Sequence, residues 1–152
     1  MSQLVTFQVA DELFAVDIFA VERVLRFELP RMLPNSASWL RGIIDQGGRT
    51  VPVVDLRERL SLAGAEAGER ARILVMTIGE TLVGVTVDAV HEVITVAETS
   101  MEAPPAIYRG LAREYLQGVA RHGGKLFIVL DATRLLTSTE RIEMERTMRT
   151  EA

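Results

Sequence analysis

The chain has 152 residues, a formal net charge of −4 and no cysteine. That length suits one ordinary domain or two very small ones, and the acidic balance argues against nucleic acid or an anionic membrane as a partner. The missing thiols exclude disulfides, thiolate nucleophiles and sulfur metal sites.

Leu4–Val9 alternates Val5, Phe7 and Val9 against Thr6 and Gln8, which predicts a half-buried strand. Ala10–Glu12 is a tight turn into a second strand, Leu13–Ile18. In Ala20–Glu28, Val21, Val24 and Leu25 fit a helical face, but the β-branched content favours a strand. Leu29–Asn35 carries Pro30 and Pro34 and reads as a loop, after which Ser36 is placed to cap one helical turn through Trp39.

Leu40–Leu60 reads as strand, turn, strand and short helix. Gly47-Gly48 supplies the positive φ values of a two-residue hairpin turn, and Val51, Val53 and Val54 suit a buried strand. Pro52 cannot donate to a ladder, so that strand is expected at an edge or kinked there. Asp55 is a helix cap, with Glu58 placed for a capping box. Ser61–Ala71, rich in Ala, Gly and Glu, is the expected linker.

Arg72–Ile78, a Gly79-Glu80 turn, Leu82–Val87 and Val90–Val96 then repeat the scheme. Ala97–Tyr115 is a divergent insert, broken by Pro104-Pro105, with a short helix expected over Ile107–Glu114. A second hairpin fills Leu116–Leu136. Thr137–Arg149 is a polar helix with a Thr137/Glu140 capping box and Glu145 and Arg149 one turn apart. Only Ile142, Met144 and Met148 are available to anchor it, which predicts loose docking.

The two hairpins align without gaps. Leu40, Gly42, Gly47, Gly48, Val53, Asp55 and Leu60 recur 76 positions later as Leu116, Gly118, Gly123, Gly124, Val129, Asp131 and Leu136. Leu4–Val24 likewise matches Ile73–Val93 at an offset of 69. The chain is therefore two copies of one unit: repeat one about 4–60, linker 61–71, repeat two about 72–136. Residues 1–137 form the expected domain and 138–152 a C-terminal polar helix. Many short strands with Gly turns, given twice, predict a mostly β fold of two small barrels sharing a packed interface. The pattern leaves open whether the first strand stays in its own barrel or crosses to the other.

No catalytic constellation is legible. His91 and His122 lack metal-ligand spacing, and Ser36, Ser38 and Ser61 have no histidine nearby in sequence. The Gly-rich turns lack a phosphate-cradling context. Asp55 and Asp131 read as equivalent helix caps rather than paired acids, and Trp39 as a core residue rather than a groove anchor. Arg41, Arg49, Arg57 and Arg59 cluster around the first hairpin, where a solvated face and a partner surface are both open readings. Met1-Ser2-Gln3-Leu4 lacks the basic start and apolar run of a signal peptide, and no apolar stretch approaches the roughly 20 residues of a membrane span.

From Leu4 to Leu136 the chain resembles the CheW-like coupling proteins of bacterial chemosensory systems. The motifs that carry the resemblance are Phe14-Ala-Val-Asp-Ile18, Leu40-Arg-Gly-Ile-Ile44, Val51-Pro-Val-Val-Asp-Leu56, Gly84-Val-Thr-Val-Asp88 with Val90 and Val93, Pro104-Pro105 and Tyr115-Leu-Gln-Gly118. The resemblance implies two five-stranded SH3-like β-barrels around a shared apolar core. It implies a cytoplasmic, non-enzymatic adaptor without cofactor, recruited to membrane-associated receptor arrays without inserting into the bilayer. Its partners would be the regulatory domain of a CheA-type histidine kinase and the cytoplasmic tip of chemoreceptors, with no nucleic acid.

Carried over by motif, the receptor groove takes Ile18, Val21, Gly42, Val90 and Val93, and the kinase contact falls around Thr50, Val51, Val53 and Val54. Gly42 would let a receptor helix approach the backbone. Two positions depart from the family pattern. Arg23 stands where an acidic residue is common, and Gly47 replaces an arginine in the first hairpin turn. Arg23 would suit an acidic receptor surface, so a different receptor set, in a surface-motility or second chemosensory pathway, is the expectation. The competing reading is an SH3-like module that regulates another enzyme.

Overall fold

The computed structural model describes residues 1–34, 36–60, 62, 68–103 and 114–151. Pro104-Pro105, the Ile107–Glu114 helix save its last residue, most of the Ser61–Ala71 linker and the Arg149 side chain lie outside them.

Ten strands are described: β1 (Ser2–Val9), β2 (Glu12–Asp17), β3 (Val21–Arg26), β4 (Leu40–Gln46), β5 (Arg49–Asp55), β6 (Arg72–Ile78), β7 (Thr81–Val87), β8 (Ala89–Val96), β9 (Leu116–His122) and β10 (Lys125–Leu130). Among the described residues two α-helices have definite bounds, α1 (Leu56–Arg59) and α2 (Ser138–Glu151), with 3-10 turns at Ile18–Ala20, Glu98–Ser100 and Ala132–Arg134. The strand reading of Ala20–Glu28 holds in β3. Ser36 caps no helix; its hydroxyl donates back to the Leu33 carbonyl at 2.9 Å.

The strands form two five-stranded sheets, ordered β8-β1-β2-β10-β9 and β3-β6-β7-β5-β4, the two SH3-like barrels of a mostly β fold. Each barrel takes strands from both repeats. β1 and β2 of repeat one join β8, β9 and β10 of repeat two, and β6 and β7 join β3, β4 and β5. Each barrel is joined twice, by an antiparallel ladder, β1 with β8 or β3 with β6, and by a short parallel one, Ile128↔Phe14 and Val129↔Ala15 in one barrel, Val53↔Gly84 through Asp55↔Thr86 in the other. Barrel two is thus the continuous stretch β3 to β7, and barrel one closes from the segments on either side of it. The chain passes between barrels twice, at the turn Ile18–Ala20 and at Asp88.

This exchange explains the burial. Leu4, Ala15, Ile94, Phe127 and Val129 fill barrel one, while Ile44, Val51, Val53, Ile73 and Val75 fill barrel two. The alternate residues of the exchanged strands, among them Val5, Phe7, Leu74, Met76, Val83 and Val85, form a third core between the barrels. Such strands are covered on both faces, so β1 is not half-buried as its alternation suggests. Thr6 is fully buried, and its hydroxyl donates to the Glu92 carbonyl.

Both hairpins turn on two glycines, with φ of 59° and 82° at Gly47-Gly48 and 58° and 76° at Gly123-Gly124. Pro52 pairs with Ile43 of β4, while the β7 ladder starts only at Val53, so its missing donor falls on the flank without a ladder. Asp55 and Asp131 are caps in both copies, accepting from the amides of Arg57 and Thr133 at 3.0 Å. The Asp55 amide donates to the Trp39 carbonyl, so Glu58 does not complete a capping box.

Candidate partner-binding groove

The chain's two crossings bring half-buried apolar side chains onto one seam. Ile18, Ala20 and Val21 leave the first crossing, Val90 follows the second, and all four pack against the core between the barrels. Val90 sits opposite Phe7 and Val93 opposite Val5 on β1, while Val21 sits opposite Met76 on β6. The rim is open: Phe19 is 91% exposed, Val93 49% and Val24 44%. Ile18, Val21 and Val90 therefore pack against the same core, and exposed Val93 lies further along β8. Phe19 was not among the motif-matched residues; the signal for it was an aromatic in a short turn between two strands. Arg23 lies on β3, exposed.

Gly42 is packed by its own chain. It lies on β4, at the opposite edge of its sheet from β3, with φ +151°. A Cβ there would meet the Arg31 carbonyl, because Arg31 and Ile43 bridge through reciprocal amide–carbonyl bonds of 2.8 and 2.9 Å. The chain's own loop, rather than a foreign helix, occupies the space that this glycine leaves. Gly118 repeats the arrangement, with the Glu102 carbonyl 2.7 Å from an added Cβ and a Glu102↔Val119 bridge.

The motif-matched kinase contact also needs correction at the level of side chains. Val51, Val53 and Val54 are 0–2% exposed and belong to the cores. They hold the strand in shape but present nothing to a partner. Thr50 is exposed, and Pro52 shares its face, as residues two apart on a strand do.

Each arginine of the cluster has an acidic partner, though Arg41 and Arg49 stay exposed. Arg49 pairs with Glu22 at 2.7 Å, Arg41 with Asp55 at 3.7 Å, and Arg57 with Asp88. Asp88, at the second crossing, also accepts from the Ala10 amide at 2.6 Å, so one carboxylate joins α1, the β1–β2 turn and the junction of the barrels. Arg59 is the most enclosed. It grips Glu140 with bonds of 3.1 and 2.5 Å, donates to the Tyr115 hydroxyl at 3.0 Å, and lies 5.4 Å from the Trp39 ring centroid and 5.7 Å from that of Tyr115. Burial alone would raise the Glu140 carboxyl pKa; the bonds from Arg59 and the Thr137 amide outweigh it and hold the group below its usual value. Burial alone would likewise lower Arg59, and its bonds to Glu140 and Tyr115 raise it instead. Sequence reasoning missed this clasp, because Glu140 lies 81 residues from Arg59.

His91 is satisfied by Gln8, with Nε2 3.4 Å from Oε1. Among the described residues no cluster of acidic or histidine side chains is arranged to hold a metal ion, and no helix is long and apolar enough to cross a membrane.

Two interlocked small barrels with an apolar seam at their junction define a protein-binding scaffold. The family model for the CheW-like domain matches residues 3–140, and the chain belongs to that family, whose members are adaptors in chemotaxis signal transduction. It is 30% identical to the chemotaxis protein CheW of Treponema pallidum, over 91% of this chain and 84% of that one. It is 32% identical to the protein FrzA of Myxococcus xanthus, over 78% and 73% of the two chains. The crystal structure of the scaffolding protein TtCheW from Thermoanaerobacter tengcongensis superposes with a TM-score of 0.83 at 30% identity, covering 91% of this chain and 96% of that one.

Proposed function

We propose that the chain is a cytoplasmic, non-enzymatic adaptor that couples chemoreceptor tips to a CheA-type histidine kinase within membrane-associated receptor arrays. The observation that carries this reading is the seam. Ile18, Val21 and Val90 are half-buried at the junction of the barrels, flanked by exposed Phe19, Val24 and Val93. An amphipathic helix needs such a strip, apolar along its floor and open along its rim. The kinase contact belongs on the outer face of barrel two, through exposed Thr50 and its surroundings. Coupling is then a shared lattice in which receptor conformations bias the kinase. Exposed Arg23, where family members commonly carry an acid, points to an acidic receptor surface and so to a receptor set of its own, such as that of a surface-motility pathway.

The test is co-purification and titration with chemoreceptor tips and with a CheA-type regulatory domain. Val93→Glu puts a charge on an already exposed rim position, so the fold survives while tip binding weakens about tenfold, as loss of an apolar contact worth about 1.4 kcal/mol requires. Unchanged tip binding by this variant would remove the seam as the receptor site. Ordinary affinity for a standard chemoreceptor tip would refute the separate receptor set. Failure to bind any CheA-type regulatory domain would favour a module that regulates another enzyme.

A further inference from the structure

The two flanks of the seam are the same strand of the two repeats. β3 and β8 match at the offset of 69, so Val21 and Val24 fall on Val90 and Val93. Each is the outer neighbour of a strand in the shared core, β3 of β6 and β8 of β1, and the turn Ile18–Ala20 lies against both β1 and β6. The seam therefore has β8 along one side and β3 along the other. Its apolar residues repeat with the fold: Val21 and Val90 are half-buried, Val24 and Val93 exposed.

The charges do not repeat. Arg23 of β3 falls on Glu92 of β8, and Arg26 on Thr95, all four exposed. Both strands carry one extra residue just here, between Val21 and Arg23 on β3 and between Val90 and Val93 on β8. A bulge bends an edge strand and re-aims its side chains. It leaves Glu22, Arg23 and Val24 exposed in succession on one wall, and Glu92 and Val93 on the other, where strict alternation would turn every second one inward. Glu22 is held by Arg49 at 2.7 Å. Among the described residues Arg23, Arg26 and Glu92 join no ion pair. Exposed charges of this kind contribute little to the fold, but beside an apolar strip they discriminate between partners.

We propose that Arg23 and Glu92 set the direction in which a helix lies in the seam. The seam takes an amphipathic helix whose apolar stripe has an acidic flank toward β3 and a basic flank toward β8. Turning a helix end for end in a groove exchanges its flanks. The apolar fit, which the repeat makes alike on both walls, admits both directions; the opposite charges admit one. This inference rests on the seam being the receptor site and adds the chemistry of the helix that it selects.

The experiment titrates the full chain with three synthetic helical peptides that share one leucine stripe. One has glutamate on one flank and lysine on the other, one has glutamate on both, and one has lysine on both. At low ionic strength the wild type should bind the mixed peptide about threefold more tightly than either other, as exposed ion pairs allow, and salt should erase the preference. Arg23→Glu makes both walls acidic and moves the preference to the all-lysine peptide. Glu92→Arg makes both basic and moves it to the all-glutamate peptide. Each ranking is a ratio within one protein, so a partly folded variant still reports it. Lys125→Glu, on the β9–β10 hairpin, changes net charge as Arg23→Glu does and should keep the wild-type ranking. The double variant Arg23→Glu/Glu92→Arg should prefer the mixed peptide again, but reversed. A nitroxide on the peptide N-terminus then broadens amides at one end of β3 in the wild type and at the opposite end in the double variant. One ranking shared by the wild type and both single variants overturns the selector. So does a Lys125→Glu ranking that follows Arg23→Glu, or a nitroxide that stays at the same end. If Val93→Glu still weakens every peptide in those cases, the seam stands and only its polarity fails. If no peptide binds, or Val93→Glu changes nothing, the seam is lost and the selector with it.

Discussion

The two hairpins, β4–β5 and β9–β10, share a frame and differ in their ties. Both turn on two glycines, both end in an aspartate cap, and both have an edge strand bridged by a loop, at Arg31↔Ile43 and Glu102↔Val119. The difference follows the cap. Repeat one places Arg57 and Arg59 there, reaching Asp88 at the barrel junction and Glu140 on α2. Repeat two has Thr133 and Leu135 at those positions, and Leu135 is buried in the shared core. The arginine of its capped turn, Arg134, pairs locally, with Asp131 at 3.4 Å. Duplication fixed the shape of both barrels. Charge added to one copy made that copy the attachment point for distant elements.

The shared frame breaks hardest at its bridged glycines. Gly42→Ala must force a side chain into the Arg31 carbonyl at φ +151°, a conformation that L residues avoid. We expect a loss of about 3–4 kcal/mol in urea unfolding, within the range for backbone strain plus steric overlap. Gly118→Ala meets Glu102 and the Met101 side chain at 2.7–2.8 Å without the positive φ, so about 2 kcal/mol is expected. Equal losses at the two sites would mean that the φ value carries no cost.

The tie comes next. Arg59→Leu copies the residue of repeat two into repeat one and strands Glu140, whose side chain is only 18% exposed. About 2 kcal/mol of stability should go, less than for a fully buried pair because both partners keep some water. Arg134→Ala removes a side chain that is 63% exposed and should cost under about 0.5 kcal/mol. The same tie has a pH signature. Glu140 titrates below its usual 4.5 in the folded chain, so just under that value the unfolded chain binds more protons and stability rises with pH. Its contribution is complete above about 4.5 and is lost as pH falls through the lower folded value. Glu140→Gln should flatten that part of the acid limb; an unchanged limb would place the acid sensitivity elsewhere.

What was legible in the sequence follows the range of the physics. The hairpins, caps and duplication were legible because glycine pairs, an aspartate and alternating valines act within a few residues. The exchange of strands was not, since the two repeats carry the same pattern and β1–β2 would satisfy the edge of either barrel. Reading β1 as half-buried failed for the same reason: what covers Thr6 is β8, whose Glu92 carbonyl lies 86 residues away. Motif matching named Ile18, Val21 and Val90, and all three pack against the core between the barrels. It could not show that Gly42 is filled by its own loop, or that Val51 and Val53 point inward. The arginines looked like a charged face because their partners lie 27 to 81 residues away, except for the pair made by Arg41.

The β1–β2 and β6–β7 turns give the smallest and sharpest comparison. Ala10 and Gly79 are equivalent positions, and both adopt left-handed backbone, with φ of 55° and 66°. Repeat one tolerates a Cβ there because Asp88 holds the Ala10 amide at 2.6 Å. Repeat two needs the bare glycine because Arg141 of α2 lies where a Cβ would be. Ala10→Gly relieves left-handed strain of about 1 kcal/mol but frees the unfolded chain by nearly as much, so stability should move by less than about 0.5 kcal/mol. Gly79→Ala adds that strain and displaces Arg141, for a loss of about 1 kcal/mol. Arg141 is the flexible end of a side chain, so the helix itself should stay docked. If Gly79→Ala instead releases all of α2, seen as a shift in the fluorescence of Trp39 beneath Arg59, the clasp and the β6–β7 turn act as one joint rather than two.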